Sequence, residues 1–501
     1  MIVPLTVAAF AAVTLALPAQ AKPASALPVE GAKAVKCSTT PFEHFSVARP
    51  VWPEGREREW NCQVGFTAEF DGKDAGDAVL RYTGATMCRV FLNGEFLAYG
   101  PARAAHGFSR VDEIPLAGKL KQGRNVLAVE VAGFFTGRAS MDFTGNAKEE
   151  KIFLQNFLLP EKFPDIPDGM LPQCYPSDFP DHTFIPNWAM WFVLELDEYF
   201  ARTGDRQLVD AFRPRVLKLM DFLWKYRNED GLLEKLPPSV FVEWSRSNSL
   251  VNDVNYPTNM TWARLLDVVA RLYGVSRYAD EAERVRGAVR RQSWNGTFFV
   301  DRALRQKDGS LKPDTEATET CQYYAFFFGT ATPESHPELW KRLVEDFGPN
   351  RKKDNKWPDV AFSNAFIGHY LRFECLSKAG LSAQILDEAK GYFSFMAERT
   401  GTLWEHVLPM ASCSHGFASH IAHVLYRDVL GVKEIDRVNK RVVLCFADVP
   451  LSSCSGEIPI GDGALNVSWT RTGDVVRYRC SAPPGYSVGV SAAGNLSLER
   501  L

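Results

Sequence analysis

The sequence predicts a multidomain fold in which a toroid of helical hairpins stands between an N-terminal and a C-terminal β-sandwich. Two changes of hydrophobic period support this prediction. Apolar residues alternate along short runs up to about residue 135, recur at i, i+3 and i+4 from about residue 146, and alternate again from about residue 431. A chain of 501 residues is long enough for two to four domains.

The chain begins with a short apolar segment, residues 1–21, that ends in Ala19-Gln20-Ala21. A small-x-small ending of this kind is typical of a cleaved signal peptide, so we expect export to the periplasm or the medium. A membrane anchor is the rival interpretation, but the segment is short for a span and contains Pro18. No later segment is long and apolar enough to cross a bilayer, so we expect no membrane association after cleavage.

Residues 35–145 are predicted to form the N-terminal sandwich, or part of one. Asn93-Gly94 lies between two apolar runs and is a strong hairpin signal. Residues 431–501 return to alternating runs, with Thr472-Gly473-Asp474 as the turn of a second hairpin, and are predicted to form the C-terminal sandwich.

Residues 146–430 carry the helical period. About ten amphipathic helices are predicted, several of them followed by Gly as a stop signal, and the loops between them are rich in acids and aromatic residues. The clearest patterns are "KEEKIFLQNFLL", "NWAMWFVLELDEYFARTG", "RQLVDAFRPRVLKLMDFLW", "TNMTWARLLDVVARLYG", "ADEAERVRGAVRRQS", "TETCQYYAFFFG", "NAFIGHYLRFECLSKAG", "LSAQILDEAKGYFSFMAERTG" and "GFASHIAHVLYRDVLG".

Composition excludes several functions. The net charge is −3 and the basic residues are scattered, which is not the pattern of a nucleic-acid-binding protein. No two of the 10 Cys residues form a CxxC pair, and no phosphate-binding Gly loop or spaced set of metal ligands occurs, so no cofactor or metal is predicted. Disulfides would most easily join Cys445, Cys454 and Cys480, which are near in sequence; buried free thiols are the alternative.

The residues that carry chemistry lie in the helix-linking loops. An acid stands beside a tryptophan twice, in Glu243-Trp244 and Trp404-Glu405. Such a pair can place an indole face on a sugar ring while the carboxylate binds hydroxyls or activates water. If alternate loops open at one end of the toroid, these pairs converge on one pocket with four further candidates, Asp178, Asp181, Trp188 and His415.

Each loop residue also has a structural interpretation. Asp178 and Glu319 precede helices, where acids commonly act as caps or loop ties. Asp253 is suited to ordering its Asn-rich loop. Trp191 has helical spacing from Trp188 and is expected in the core, and His420 and His423 share one helix face and are expected to be structural.

Five stretches resemble the α-L-rhamnosidases among the six-hairpin glycosidases. They are "FLLPEKFPDIPDGMLPQCYPSDFPDHTFIPNWAMWFVLELDEYFARTGD", "FVEWSRSNSLVNDVNYPTNM", "CQYYAFFFGTATPESHPELW", "RTGTLWEH" and "SCSHGFASHIAHVLYRDVLG". "NGEFLAYGPARAAHG" and "GRNVLAVEVAG" are similar to the N-terminal sandwich of the same family. The resemblance implies an (α/α)6 barrel and inverting hydrolysis of terminal α-L-rhamnosyl groups from a glycan or glycoside.

The resemblance also implies roles for particular residues. Glu405 matches the general base of the family, in its TxLWE motif. His415 matches a sugar-binding histidine, and Trp244 and Trp188 match aromatic residues of the substrate pocket. Trp404 is carried with them as a substrate-binding candidate.

One part of the family pattern is missing. The general acid of the family lies in a motif D-x-P-x-R-E-R-x-G-W that opens the first barrel helix, and the sequence contains no such motif. "EGREREWN" at residues 54–61 is similar but lacks the Asp and Pro, and Glu57 and Glu59 are read as surface charge. The barrel is therefore predicted to be incomplete, with Glu243, Asp178 and Asp181 as the candidates to replace the acid.

Three hypotheses follow. The first is an exported hydrolase resembling α-L-rhamnosidases, which needs two carboxyl groups across one pocket, about 6.5–9.5 Å apart for inversion. The second is a carbohydrate-binding relative that has lost the general acid. The third is another six-hairpin glycosidase acting on uronic acids, which should line its pocket with cations; Arg246 is the main cation in these loops.

Overall fold

The structure is a computed structural model that divides into two compact units. One contains residues 1–139 and 174–180, and the other contains residues 140–173 and 181–501. The residues that it describes are 2–6, 12–16, 32–34, 51–53, 62–72, 78–84, 87–100, 111–133, 147–163, 165–175, 183–238, 240–353, 356–364, 367–400, 402–407, 412–413, 415–460 and 463–501.

The first unit is built from β-strands. Two four-stranded sheets, ordered β1-β2-β6-β9 and β5-β10-β7-β8, share one apolar core, to which Leu80 and Tyr82 contribute from one sheet and Val90 and Val129 from the other. The strands β3 and β4 form a separate pair. The strands are β1 Ile2–Thr6, β2 Ala12–Ala16, β3 Ala32–Ala34, β4 Val51–Pro53, β5 Cys62–Asp71, β6 Val79–Tyr82, β7 Met87–Leu92, β8 Glu95–Gly100, β9 Asp112–Pro115 and β10 Arg124–Gly133.

The predicted hairpin at Asn93-Gly94 is confirmed. These two residues connect β7 to β8, and both have positive φ, 54° and 86°. Positive φ at both central positions is the geometry of a type I′ turn, which Asn-Gly adopts with little strain. The Asn93 carboxamide also accepts a hydrogen bond from the Val126 N–H, which fixes the turn to β10.

The second unit begins with helices. In its described residues the α-helices are α1 Ala147–Asn156, α2 Pro186–Thr203, α3 Arg206–Trp224, α4 Tyr256–Tyr273, α5 Arg277–Ser293, α6 Glu319–Phe327, α7 Pro337–Glu345, α8 Gly368–Lys378, α9 Ser382–Thr400 and α10 His420–Val424. Short 3-10 helices cover Arg246–Ser249, Pro349–Lys353 and Gly416–Ser419, and a π-helical segment, Leu425–Leu430, extends α10. The predicted glycine stops are confirmed at Gly204, Gly274 and Gly431, where the backbone is left-handed.

From α2 onward, the even-numbered and odd-numbered helices form two series with different neighbours. Each of α2, α4, α6, α8 and α10 contacts the next member of that series, whereas α3, α5, α7 and α9 each contact the helix before them. The first series is the more buried, and α4 has Trp262, Leu265 and Val269 at 0% exposure. The result is a helical core whose connecting loops carry the candidate residues.

Within the part of the chain that the structure describes, five short strands lie among the helix-linking loops, and two sheets follow α10 and its π-helical extension. The short strands are β11 Val254–Asn255, β12 Arg302–Arg305, β13 Leu311–Pro313, β14 Ala317–Thr318 and β15 Val360–Ala361. The C-terminal sheets, ordered β16-β17-β21 and β18-β19-β20-β22, share a core around Leu444, Leu465 and Trp469. Their strands are β16 Val432–Asp436, β17 Arg441–Phe446, β18 Ser453–Ile460, β19 Gly463–Thr472, β20 Val475–Ser481, β21 Ser487–Ala492 and β22 Ser497–Arg500.

The C-terminal sheets contain the second predicted hairpin and three of the cysteines. The predicted turn after Thr472 is confirmed, since Gly473 and Asp474 connect β19 to β20. Cys445, Cys454 and Cys480 are free thiols in the structure, as are the buried Cys88, Cys321 and Cys375. Within the described ranges, no helix has the length and hydropathy needed to cross a membrane.

Candidate functional site

Four of the residues singled out from the sequence come together in the second unit. Trp188 lies in the first turn of α2, and Trp244 lies just before the 3-10 helix at Arg246–Ser249. Glu405 follows the end of α9, and His415 is the N-cap of the 3-10 helix at Gly416–Ser419. The four residues belong to separate segments of the chain, and contacts among aromatic rings and loop backbone connect them.

Two phenylalanines join these residues into an aromatic cluster. The Phe241 ring lies 5.4 Å from Trp188 and 4.9 Å from Trp244, centroid to centroid. The Phe417 ring lies 6.4 Å from Trp188 and 6.4 Å from the His415 imidazole. Neither phenylalanine was singled out from the sequence, although each stands within three residues of a candidate. Trp244 is 41% exposed, so one edge of the cluster faces solvent.

Glu405 is held at this exposed edge. The Trp244 indole N–H donates to Glu405 Oε1 at 2.8 Å, and the Ser412 N–H donates to Oε2 at 3.4 Å. Each carboxylate oxygen has two lone pairs, so both can still accept from a water or a sugar hydroxyl. The two acid–tryptophan pairs found in the sequence are therefore joined by one hydrogen bond.

The segments that carry Glu405 and His415 are tied together through the backbone. The Glu405 N–H donates to the Ser412 carbonyl, and the His415 N–H donates to the Leu403 carbonyl, both at 2.9 Å. His415 Nδ1 accepts the Phe417 N–H at 3.2 Å. A neutral imidazole that accepts at Nδ1 carries its proton on Nε2, so His415 presents Nε2–H as a hydrogen-bond donor.

Trp404 lies on the helical side of the same loop. Its ring is 5.6 Å from Phe395, centroid to centroid, and it packs against the apolar cluster that contains Phe373 and Met396. The structure thus places Trp404 against α9, where its bulk supports the loop that carries Glu405.

Glu243 is completely enclosed. Its side chain is 0% exposed, and its carboxylate accepts main-chain N–H groups from Asn364 at 2.6 Å and from Ile367 at 3.5 Å. Burial raises the pKa of Glu243 to about 7, although further N–H groups from Gly368 and Trp244 act in the opposite direction. An acid with no exposed atom is not placed to protonate a leaving group, so the geometry makes Glu243 a support for the loops.

The other candidates to replace the acid are Asp178 and Asp181, which lie outside the described residues. The structure draws attention to one carboxyl group that the sequence did not. Partial burial, with the nearby charges of Glu150 and Glu198, raises the pKa of Glu195 to about 8. Glu195 lies seven residues after Trp188 on α2, about 10 Å along the helix axis. That depth separates it from the aromatic cluster.

Two further loop acids and one histidine form hydrogen bonds or ion pairs within the protein. Glu319 forms a buried ion pair with Arg351 at 2.6 Å, and Asp253 Oδ2 accepts the Arg305 N–H at 2.8 Å. His420 Nε2 lies 2.9 Å from Glu374 Oε1. These contacts agree with the structural interpretation of all three residues.

Arg246 is also occupied. Its guanidinium makes a bidentate ion pair with Glu316 at 2.7 and 2.8 Å. A substrate carboxylate would have to displace Glu316, which disfavours a uronic acid substrate. Across the described parts of the chain, no group of three or more His, Cys, Asp or Glu side chains is placed to hold a metal ion.

Comparison with solved structures identifies the fold. A GH78 family rhamnosidase of Bacillus sp. GL1 superposes with a TM-score of 0.57 at 14% sequence identity, over 87% of this chain and 55% of that one. The chain has a rhamnosidase-like fold. The α-L-rhamnosidase of Dictyoglomus thermophilum gives a TM-score of 0.51 at 12% identity, over 86% of this chain and 58% of that one.

A third structure, the Streptomyces avermitilis α-L-rhamnosidase complexed with L-rhamnose, gives a TM-score of 0.50 at 15% identity, over 85% of this chain and 50% of that one. The chain therefore spans 50–58% of the length of these three rhamnosidases. No protein-family model and no curated protein sequence matches the chain.

Proposed function

We propose that this protein is a glycoside hydrolase-like protein that binds a terminal α-L-rhamnosyl group at the aromatic cluster and hydrolyses it with Glu405 as general base. The observation that supports this most directly is the hydrogen bond between Trp244 and Glu405, which sets a carboxylate beside an exposed indole. In an inverting reaction the base removes a proton from a water that attacks the anomeric carbon from the face opposite the leaving group. Glu405 has the lone pairs to do this while it remains bound to Trp244.

The platform next to Glu405 suits a sugar ring. Phe241, Phe417 and the two tryptophans provide apolar faces against which C–H groups pack, and the His415 imidazole lies beside Phe417 in the same cluster. The rhamnosidase-like fold, shared with an enzyme solved in complex with L-rhamnose, favours the same sugar class.

A second function is favoured by the state of Glu243. Because this carboxylate is enclosed by backbone N–H groups, it is not available as a general acid. Loss of acid catalysis typically lowers the rate by about 10²–10⁴-fold. The alternative proposal is therefore a carbohydrate-binding relative that retains the platform and Glu405 but has lost turnover.

The proposal includes the finer architecture. We infer that α1 to α10 belong to an incomplete six-hairpin toroid within residues 146–430. The sheets on either side, within 35–145 and 431–501, would be its flanking β-sandwiches. Cleavage after residue 21 would release an exported protein with a carbohydrate as its partner.

The deciding experiment offers the full chain an aryl α-L-rhamnoside and follows the released anomer by NMR. The parent is compared with Glu405→Gln and with Glu434→Gln, a half-exposed control whose partner is Arg441 at 2.7 Å. Inverted product from the parent and the control, but not from Glu405→Gln, would support hydrolysis with Glu405 as the base. No turnover, with L-rhamnose still bound in calorimetry, would support the binding protein; neither turnover nor binding would overturn both proposals.

A further inference from the structure

Asn364 connects the two acid–tryptophan pairs. Its side-chain amide donates to the Trp244 carbonyl at 2.8 Å, and its side-chain oxygen lies 3.5 Å from the Val407 N–H. Its own main-chain N–H donates to Glu243 Oε2 at 2.6 Å. Asn364 is 6% exposed, so these bonds are made in a low-dielectric environment where each restricts motion strongly. Asn364 thus binds the main chain of Trp244 and contacts the segment that follows Glu405.

Glu243 fixes Asn364 in turn. Its carboxylate lies at the N-terminus of α8, where the main-chain N–H groups of Ile367 and Gly368 point at it and the helix dipole favours a negative charge. The space is filled completely: a Cβ added at Gly368 would lie 2.8 Å from Glu243 Oε2 and 2.5 Å from Ser363 Cβ. The carboxylate therefore binds both Asn364 and the start of α8 through their main-chain N–H groups.

The position of Glu243 affects Trp244 and Glu405 through the chain itself. Trp244 follows Glu243 directly in the chain, and its indole N–H donates to Glu405 Oε1 at 2.8 Å. Glu243 itself is 0% exposed and has no surface with which to touch a ligand. Any effect of Glu243 on a bound sugar must pass through Trp244 and Asn364.

We propose that Glu243 is a positioning residue, which acts with Asn364 to hold the Trp244 indole N–H against Glu405. The role of Glu405 as the base rests on the proposed function, whereas the positioning of Trp244 rests only on the hydrogen bonds described above. A displacement of about 1 Å at a reacting group can lower a rate by about 10²-fold, so the effect is large enough to measure.

The test uses the indole N–H resonance of Trp244 in ¹⁵N-labelled full-length protein, without sugar. Trp244→Phe identifies the resonance, and Glu405→Gln shows how far it moves when its acceptor is neutralised. We expect Glu243→Gln to move the Trp244 resonance by a comparable amount and to weaken L-rhamnose binding by up to about fivefold, the loss of one hydrogen bond of about 1 kcal/mol. The matched control is Glu150→Gln, another buried carboxylate whose partner is Arg202 on α2, and it should leave the Trp244 resonance in place.

Gly368→Ala is the second variant, because its methyl group presses on the same carboxylate without changing its charge. Each variant is first checked for folding by circular dichroism. An unmoved Trp244 resonance in either folded variant would overturn the proposal, as would failure of both variants to fold, which would make the network purely structural. If the variants shift the Trp244 resonance but the parent protein does not bind L-rhamnose, the positioning role stands and the proposed function is refuted.

Discussion

The buried carboxyl of Glu243 predicts a specific pH dependence of stability. Its pKa is raised from the ordinary value of 4.5 to about 7, chiefly because burial disfavours the charged form. A folded-state pKa above the unfolded value means that the folded protein binds the proton more tightly. The stabilisation is therefore complete below pH 4.5 and is lost as the pH rises through 7. At 1.36 kcal/mol per pKa unit, the change is about 3 kcal/mol.

The assay compares the parent with Glu243→Gln, which cannot titrate. Urea unfolding is followed by tryptophan fluorescence at intervals from pH 4.5 to 8. The free energy of unfolding of the parent should fall by about 3 kcal/mol relative to the variant over this range. Asp301 and Glu195, with pKa values of about 7 and about 8, titrate in the same range but are present in both proteins, so their contributions cancel.

The opposite outcome has a definite meaning. If the difference between the two proteins stays constant with pH, Glu243 does not change protonation in this range. If the parent instead gains stability as the pH rises, the backbone N–H groups of the α8 N-terminus outweigh burial and hold the group as a carboxylate. Either result would refute the reasoning from burial.

Three further predictions concern other contacts. Arg351→Met leaves the buried Glu319 without its partner and should lower the free energy of unfolding by about 3–5 kcal/mol; the double variant with Glu319→Gln should recover part of this loss in the same urea titration. Burial alone would raise the pKa of Glu374, but the hydrogen bond from His420 and the charge of Arg427 lower it to about 2. The parent should therefore be more stable than Glu374→Gln at pH 7, and thermal melts should show this advantage disappearing as the pH falls from 4.5 to 2. Trp244→Phe removes the N–H donor but keeps a ring, and should weaken L-rhamnose binding in calorimetry about fivefold, the loss of one exposed hydrogen bond of about 1 kcal/mol; an unchanged affinity would show that this bond does not shape the site.

The sequence predicted the helices well where the apolar stripe is long. The patterns assigned to α2 and α4 agree with the structure to within about two residues, because each helix buries a continuous face and ends at Gly204 or Gly274. The short helix α7, Pro337–Glu345, was not recognised. It has only 9 residues, fewer than the window of about 11–18 residues over which a helical period is recognised.

Some residues of the candidate site were predictable from the sequence and others were not. Trp188, Trp244, Glu405 and His415 were found from residue type and from family resemblance, and the structure brings them together around Phe241 and Phe417. The contribution of Asn364 was not predictable, because it depends on contacts with residues 120 positions away along the chain. Similarly, nothing in the pair Glu243-Trp244 reveals that the acid points into the protein while its neighbour points out.

The helix that begins at Gly368 connects two distant parts of the protein. It runs for 11 residues, about 16 Å, from the carboxylate of Glu243 to Ser377, whose hydroxyl donates to Asp428 at 2.7 Å. Asp428 also accepts a hydrogen bond of 2.7 Å from the ammonium group of Lys433, which lies on β16. The C-terminal sheets therefore contact the C-terminal end of α8, and the N-terminal end of α8 binds Glu243, the residue before Trp244. Shortening the chain after residue 431 would release that end, so the C-terminal sheets form part of the framework that keeps the aromatic cluster in place.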